Sequence, residues 1–269
     1  MDEPDGLPTL FLAHGAPTLA LDGGAWGDRL TALGKGLPAV KAVIVCSAHW
    51  ETSGGFRVGG QASPRTIHDF GGFPDPLYHL KYPAPGDPDL AHRVARRLTE
   101  AGFDAVVDAG RGLDHGVWVP LRYLAAEADV PVLPLSLPRP RGARQLYEAG
   151  RALAPLRREG VLIVGSGGLV HNLGRLDGSE GGVPEPWALA FEAWILDRLH
   201  HQPERALAWE AAPGAELAVP TSEHLDPLWL ALGAGEGQPV TSLYEGWQWG
   251  SLSLRCLGFG LSHGSVRNS

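Results

Sequence analysis

The chain reads as an α/β protein: a single large domain with a mostly parallel central sheet flanked by helices on both faces. Three observations predict this. No internal repeat or low-complexity linker divides the 269 residues, a length that suits one large domain with insertions. Short, almost continuously apolar runs recur along it, as strands buried on both faces require. Longer amphipathic stretches lie between most of those runs, and strands alternating with helices build parallel sheets.

In chain order, strands are predicted over residues 7–13, 40–48, 104–108, 132–137, 161–165, 240–243 and 252–259. Helices are predicted over 88–101, 117–127, 143–156, 184–199 and 223–232. In the first of these helices Leu90, Val94 and Leu98 form one stripe, with Arg93, Arg96 and Arg97 outside it. In the last, Leu225, Leu228, Trp229 and Leu232 face the core, Thr221 or Ser222 is the expected cap, and Glu223 suits the first turn. No long helix separates the final two strands, so they are expected to pair as an antiparallel hairpin. Residues 54–87 break the alternation. They are dense in Gly and Pro yet hold Phe70, Phe73, Tyr78 and Tyr82. Disordered segments are poor in aromatics, and a loop this long inside a domain is generally functional. The reading is an ordered active-site loop or lid, with a surface insertion packed by its own aromatics as the alternative.

The net charge of −8 excludes two partner classes, nonspecific nucleic acid and anionic membrane surface, because both need cationic surface. No apolar run approaches the ~20 residues of a membrane span. The acidic start MDEPDG has no basic region followed by an apolar stretch, so no signal peptide is read and the cytoplasm is expected. Cys46 and Cys256 lie in apolar runs and are expected to be reduced core residues. A homo-oligomer is left open: Trp247 and Trp249 fit a subunit contact and core packing equally.

The chemistry lies in the histidines. His14 ends a strand at the turn in LAHGAP, and His49 ends another in VIVCSAHW. Were those strands neighbours, their ~4.8 Å spacing would bring the imidazoles within several ångströms. His171 follows VLIVGSGGLV, whose glycines fit a turn back over the sheet edge, and Asn172 is placed to orient it or to cap the next segment. His224, in TSEHLDPL, opens a helix. Glu223 beside it is a competing ligand candidate, although stabilising the helix start is its preferred role. Each histidine alone reads equally well as an ordinary hydrogen-bonded one. Together, at strand ends where open α/β sheets bind ligands, they point to one divalent metal. His115, in GLDHGVWVPL, reads as pocket lining, with Asp114 tuning it or capping the helix. His68 and Tyr78, with His79, read as residues of the long loop for substrate contact or lid closure. His92, His200, His201 and His263 read as surface residues. No GxxxxGK[ST] loop, HExxH helix or GxSxG elbow is present, and Gly165–Leu169 does not keep dinucleotide spacing.

The motifs HGAPTLAL, SAHWET, TIHDFGGFPDPLYHLKYPAPGDP, GLDHGVWVPL, VHNL and PTSEHLDPL, in that order, resemble the class III extradiol ring-cleavage dioxygenases of LigB type. The nearest branch is the DOPA 4,5-dioxygenase-like one, and the resemblance runs from about Leu7 to Phe259. It implies His14, His49 and His224 as metal ligands, His171 as general acid/base and a fourth ligand when zinc is bound, and His115 as a substrate-facing catalytic residue. Related enzymes complete the set with Glu where this chain has His224, so both Fe(II), for activity, and Zn(II), as bound, are expected cofactors. The implied reaction joins a small aromatic diol to O2 and opens the ring outside the hydroxyls, giving a muconic semialdehyde. A zinc hydrolase and a non-catalytic, Memo-like binding module are the competing expectations. Arg65, Lys81 and Arg139 are the cations available for a carboxylated catechol.

Overall fold

The computed structural model describes residues 6–178 and 182–261, so His263 lies outside the described residues. The apolar runs form β1 (Thr9–Ala13), β2 (Ala42–Ser53), β3 (Phe56–Gly59), β4 (Ala105–Asp108), β5 (Val132–Arg139), β6 (Val161–Gly167), β7 (Val240–Tyr244), β8 (Trp247–Gln248), β9 (Leu252–Ser253) and β10 (Cys256–Phe259). Eight of them make one sheet in the order β4-β3-β5-β2-β6-β1-β10-β7, and β8 pairs with β9. β5, β2, β6 and β1 are parallel, and β10 and β7 close one edge antiparallel. At the other edge β3 and β4 are parallel to each other and antiparallel to β5.

The helices are α1 (Gly24–Gly36), α2 (Pro76–His79), α3 (Pro88–Glu100), α4 (His115–Leu124), α5 (Ala143–Leu153), α6 (Pro186–His201), α7 (Ala215–Ala218) and α8 (Asp226–Ala234). Their starts follow local chemistry. The Asp87 carboxylate accepts from the Leu90 N–H at 2.9 Å, and Pro88 fills the first position of α3. Because successive strand side chains point to opposite faces, β6 puts Ile163 into one core and Leu162 and Val164 into the other. Trp26 and Leu30 of α1 meet Val117 and Trp118 of α4 over one face. Over the other face lie Val94 of α3, Leu146 of α5, Phe191 of α6 and Trp229 of α8. Each large apolar side chain buried this way stabilises by roughly 1.5–3 kcal/mol.

Several expectations change. The α1 helix was not expected, because GAWGDRLTALGKG carries glycines that obscure its apolar stripe. Packing requires one of them: a Cβ on Gly34 would stand 2.0 Å from the Leu124 carbonyl of α4. The 252–259 run splits into β9 and β10, and only β10 forms the expected antiparallel pair with β7. Neither Thr221 nor Ser222 caps α8: their hydroxyls donate to the Glu223 and Asp226 carboxylates, and a 3-10 turn at Ser222–His224 precedes the helix. The stretch 54–87 contains β3 and α2 and is stapled down. Trp118 Nε1 donates to Ile67 O at 2.9 Å, Tyr82 Oη to Ala125 O at 2.8 Å, and Gly86 N to Ala62 O at 2.9 Å. Trp247 packs against the core, and Cys46 and Cys256 are buried and free. Among the described residues no helix is long and apolar enough to cross a membrane.

Candidate metal centre and active site

The strands carrying His14 and His49 are not neighbours, since β6 runs between them. Their imidazoles still meet, because β6 ends in the small residues Gly165, Ser166 and Gly167. A Cβ on Gly167 would lie 1.9 Å from the His224 carbonyl oxygen, so glycine there lets the His224 segment rest on the strand end. The N–H of Gly168 holds the same carbonyl at 2.8 Å. Close backbone approach, and no phosphate cradle, accounts for the GSGG run. His49 lies within a longer β2 than expected, where pairing with β5 shifts register between Cys46 and Glu51. A bulge of this kind re-aims a side chain.

The result is a triangle of buried or half-buried imidazoles. Ring centroids of His14 and His49 are 4.8 Å apart, of His14 and His224 5.3 Å, and of His49 and His224 5.0 Å. The Nε2 atoms of His14 and His49 stand 3.0 Å apart. Neighbours set the tautomers. Ser166 Oγ donates its proton to Gly116 O, so it accepts from His14 Nδ1–H at 2.9 Å, leaving a lone pair on His14 Nε2. The Glu223 carboxylate, also held by the Thr221 hydroxyl, accepts from His224 Nδ1–H at 3.0 Å. His224 Nε2 is then a buried nitrogen without a hydrogen-bond partner. An orphan of that kind costs about 1–3 kcal/mol. A divalent ion would give the orphaned His224 Nε2 and the His14 Nε2 lone pair a partner, so these residues fit a metal.

The other predicted histidines converge here too. His171 stacks flat on His224, centroids 3.5 Å apart at 5°. Its backbone is tied to Ala218 O at 3.0 Å and bridged to Leu252 of β9. Asn172 reaches Leu217 O at 2.7 Å and receives Gly174 N at 2.9 Å. His115 opens α4, with its ring 4.0 Å from that of His49. Ligating nitrogens of His14, His49 and His115 all lie within 4.8 Å of one another, and those of His171 and His224 lie as close to a Glu223 oxygen. His68 and Tyr78 stand further out, their rings packing on Phe70, whose ring is 5.7 Å from that of His115. Arg139 is engaged with Glu51.

Sequence reasoning missed the residues that hold these rings. Asp69, beside the flagged His68, binds His115. Asp114 does not cap α4 by its side chain: it accepts from Ser47 Oγ and Arg111 Nη2, each at 2.6 Å, and Arg111 also donates to His49 O at 3.1 Å. Arg141 joins Glu51, two residues past His49, to Asp226, two past His224. The one signal available was the acid–His doublets at 114–115 and 223–224, of which only the second is a direct partnership.

Burial, then repulsion among neighbouring imidazoles, holds His14 and His49 well below the usual imidazole range, and burial lowers His171 to about 3. Burial pushes Glu223 upward, but its hydrogen bond from His224 outweighs this and holds it at about 2. His14, His49 and His171 are therefore neutral and competent as ligands at neutral pH. In the unfolded chain they take up protons near the ordinary value of 6.5. The unfolded state binds more protons below that pH, so stability falls as pH drops through it and continues falling towards about 3 for His171. The metal-free protein is expected to melt at progressively lower temperature as pH falls from about 7 to about 4. A flat melting temperature across that window would contradict buried neutral histidines.

Residues 9–255 match the family described as the catalytic LigB subunit of aromatic ring-opening dioxygenase. The chain belongs to the LigB family. It is 40% identical over 253 residues to the 4,5-DOPA dioxygenase extradiol of Escherichia coli (strain K12), covering 92% of this chain and 93% of that protein. A Beta vulgaris protein of the same name is 40% identical over 263 residues, covering 91% and 93%. The crystal structure of an uncharacterized Escherichia coli K12 protein superposes with a TM-score of 0.80 at 34% identity, covering 94% of this chain and all of that one. As a LigB-family chain it is a class III extradiol dioxygenase, an oxidoreductase.

Proposed function

We propose that this LigB-family chain opens the ring of a DOPA-like catechol with O2, giving a muconic semialdehyde, on one divalent metal held by His14, His49 and His224. The observation that carries the reading is the imidazole triangle closing on the partnerless Nε2 of His224. The catechol class comes from the relatives named as DOPA dioxygenases. When bound, Fe(II) supplies Lewis acidity and one-electron exchange, whereas Zn(II) suits the same nitrogens but has no redox chemistry.

His171 acts as the proton carrier. Its ring stacks on that of His224 with centroids 3.5 Å apart, beside the residues that would hold the metal. His171 Nε2 takes the second hydroxyl proton and returns it as the ring opens. His115 has its Nδ1 committed to Asp69 and turns Nε2 toward the substrate space. His68 and Tyr78 contact substrate through an aromatic wall they build with Phe70 and Phe73, whose edges and faces suit a catechol ring. The cytoplasm, where thiols such as Cys46 and Cys256 stay reduced, completes the reading.

The test is anaerobic purification, loading with Fe(II) or Zn(II), and an oxygen-electrode assay over a panel of catechols. Oxygen uptake is expected with the iron form on DOPA-like catechols and not with the zinc form. Turnover without O2 would instead mark a zinc hydrolase. Tight metal binding with no turnover on the panel would mark a binding module.

A further inference from the structure

One carboxylate on the stapled loop touches two of the site's histidines. Asp69 Oδ1 accepts from the backbone N–H of His115, and its Oδ2 from His115 Nδ1–H, both at 2.9 Å. The same Oδ2 stands 3.8 Å from His49 Nδ1. We propose that Asp69 is a positioning residue: it pins the His115 ring and faces the Nδ1 side of His49, so that both rings turn Nε2 into the space they share with His14. The proposal deepens the reading given above, that this space is where metal and catechol meet.

The grip on His115 is two-pointed. An ionised carboxylate only accepts hydrogen bonds, so contact at Nδ1 fixes the proton there and leaves the Nε2 lone pair free. Contact at the backbone N–H stops the whole residue from sliding. The second contact also serves α4. His115 is the first residue of that helix, and the Asp114 side chain makes no capping bond because Ser47 and Arg111 occupy it. Asp69 therefore satisfies the opening N–H from a remote loop, with its negative charge at the favourable helix end. The loop delivers it to a fixed place: Ile67 N donates to Leu113 O at 2.7 Å, and Trp118 of α4 reaches back to Ile67 O. The His49 and His115 rings pack 4.0 Å apart at a 42° tilt, and Asp69 Oδ2 is the polar atom common to their Nδ1 sides.

Asp69→Asn separates holding a ring from capping a helix. The amide oxygen still accepts from the backbone N–H, while its NH2 meets His115 Nδ1 with a donor where an acceptor is needed. In zinc-loaded protein, imidazole 15N–1H spectra are expected to show His115 protonated at Nδ1 in the parent chain and to lose that state in Asp69→Asn, with melting temperature and metal content kept. In iron-loaded protein the same variant is expected to lower kcat about 10–100-fold with little change in KM. An unchanged His115 tautomer overturns the proposal. So does undiminished kcat, or a loss of kcat that only tracks lost metal or lost stability. If the parent chain opens no catechol, the functional reading fails on its own, and the 15N spectra still decide whether Asp69 sets His115.

Discussion

Replacing His171 with alanine is expected to leave the bound metal at parental levels and to lower turnover about 10²–10⁴-fold, the worth of a positioned proton carrier. The expectation follows from the stack. His171 lies flat on His224, so its nitrogens stay out of the plane in which His224 offers its lone pair. Its backbone is held by Ala218 and Leu252, so truncating its ring leaves the three proposed ligands and their own supports intact. His14→Ala or His49→Ala is expected to behave differently and to lose the metal itself, because each removes an Nε2 from the 3.0 Å pair. Elemental analysis and single-turnover oxygen consumption read the two effects separately. Metal lost from His171→Ala would make it a ligand after all, and full turnover would remove it from the chemistry.

What was legible in the sequence, and what was not, divides along a physical line. The four parallel strands were readable because burial on both faces leaves β1, β2, β5 and β6 with little polar content in their central residues. The histidines were readable because a strand end places them where such sheets bind ligands. Strand order was not readable: nothing in residues 7–13 or 40–48 says that β6 will run between them. The meaning of Gly165 and Gly167 depended on that order, since their bare backbones matter only once the segment from His224 to Pro227 lies across them. The rings' supports were hidden for a related reason. Asp69 and His115 are brought together by the loop's hydrogen bonds to α4 and the residues before it, and local spacing carries no record of that contact. Glu223 was visible as a neighbour of His224, but its use as the acceptor for His224 Nδ1 depended on the 3-10 turn at Ser222–His224.

Arg141 carries the largest expected effect on stability, and it was invisible in the sequence. Its guanidinium, 5% exposed, donates Nε to Asp226 and places Nη1 2.7 Å from Glu51, while Ser222 adds a hydrogen bond to Asp226 at 2.8 Å. Burial pushes the Asp226 pKa upward against the opposing pull of Arg141, so the carboxylate relies on that partner to stay charged. Removing one member of a buried pair leaves an uncompensated charge and costs about 3–5 kcal/mol, whereas apolar replacement of both is often neutral. Arg141→Met is therefore expected to destabilise by about that amount in denaturant unfolding, and Arg141→Met with Asp226→Leu to recover most of it. The strut also spans the chain segments of His49 and His224, so the single variant is expected to bind metal more weakly at a pH where it remains folded. The double variant tests whether that weakening comes from the unpaired charge or from the lost span. If stability returns and metal affinity does not, Arg141 sets the separation of the two histidines. If both return together, the pair matters only through the charge that one partner leaves behind. A single-variant loss under about 1 kcal/mol would show instead that water reaches Asp226 and that the link behaves as an exposed ion pair.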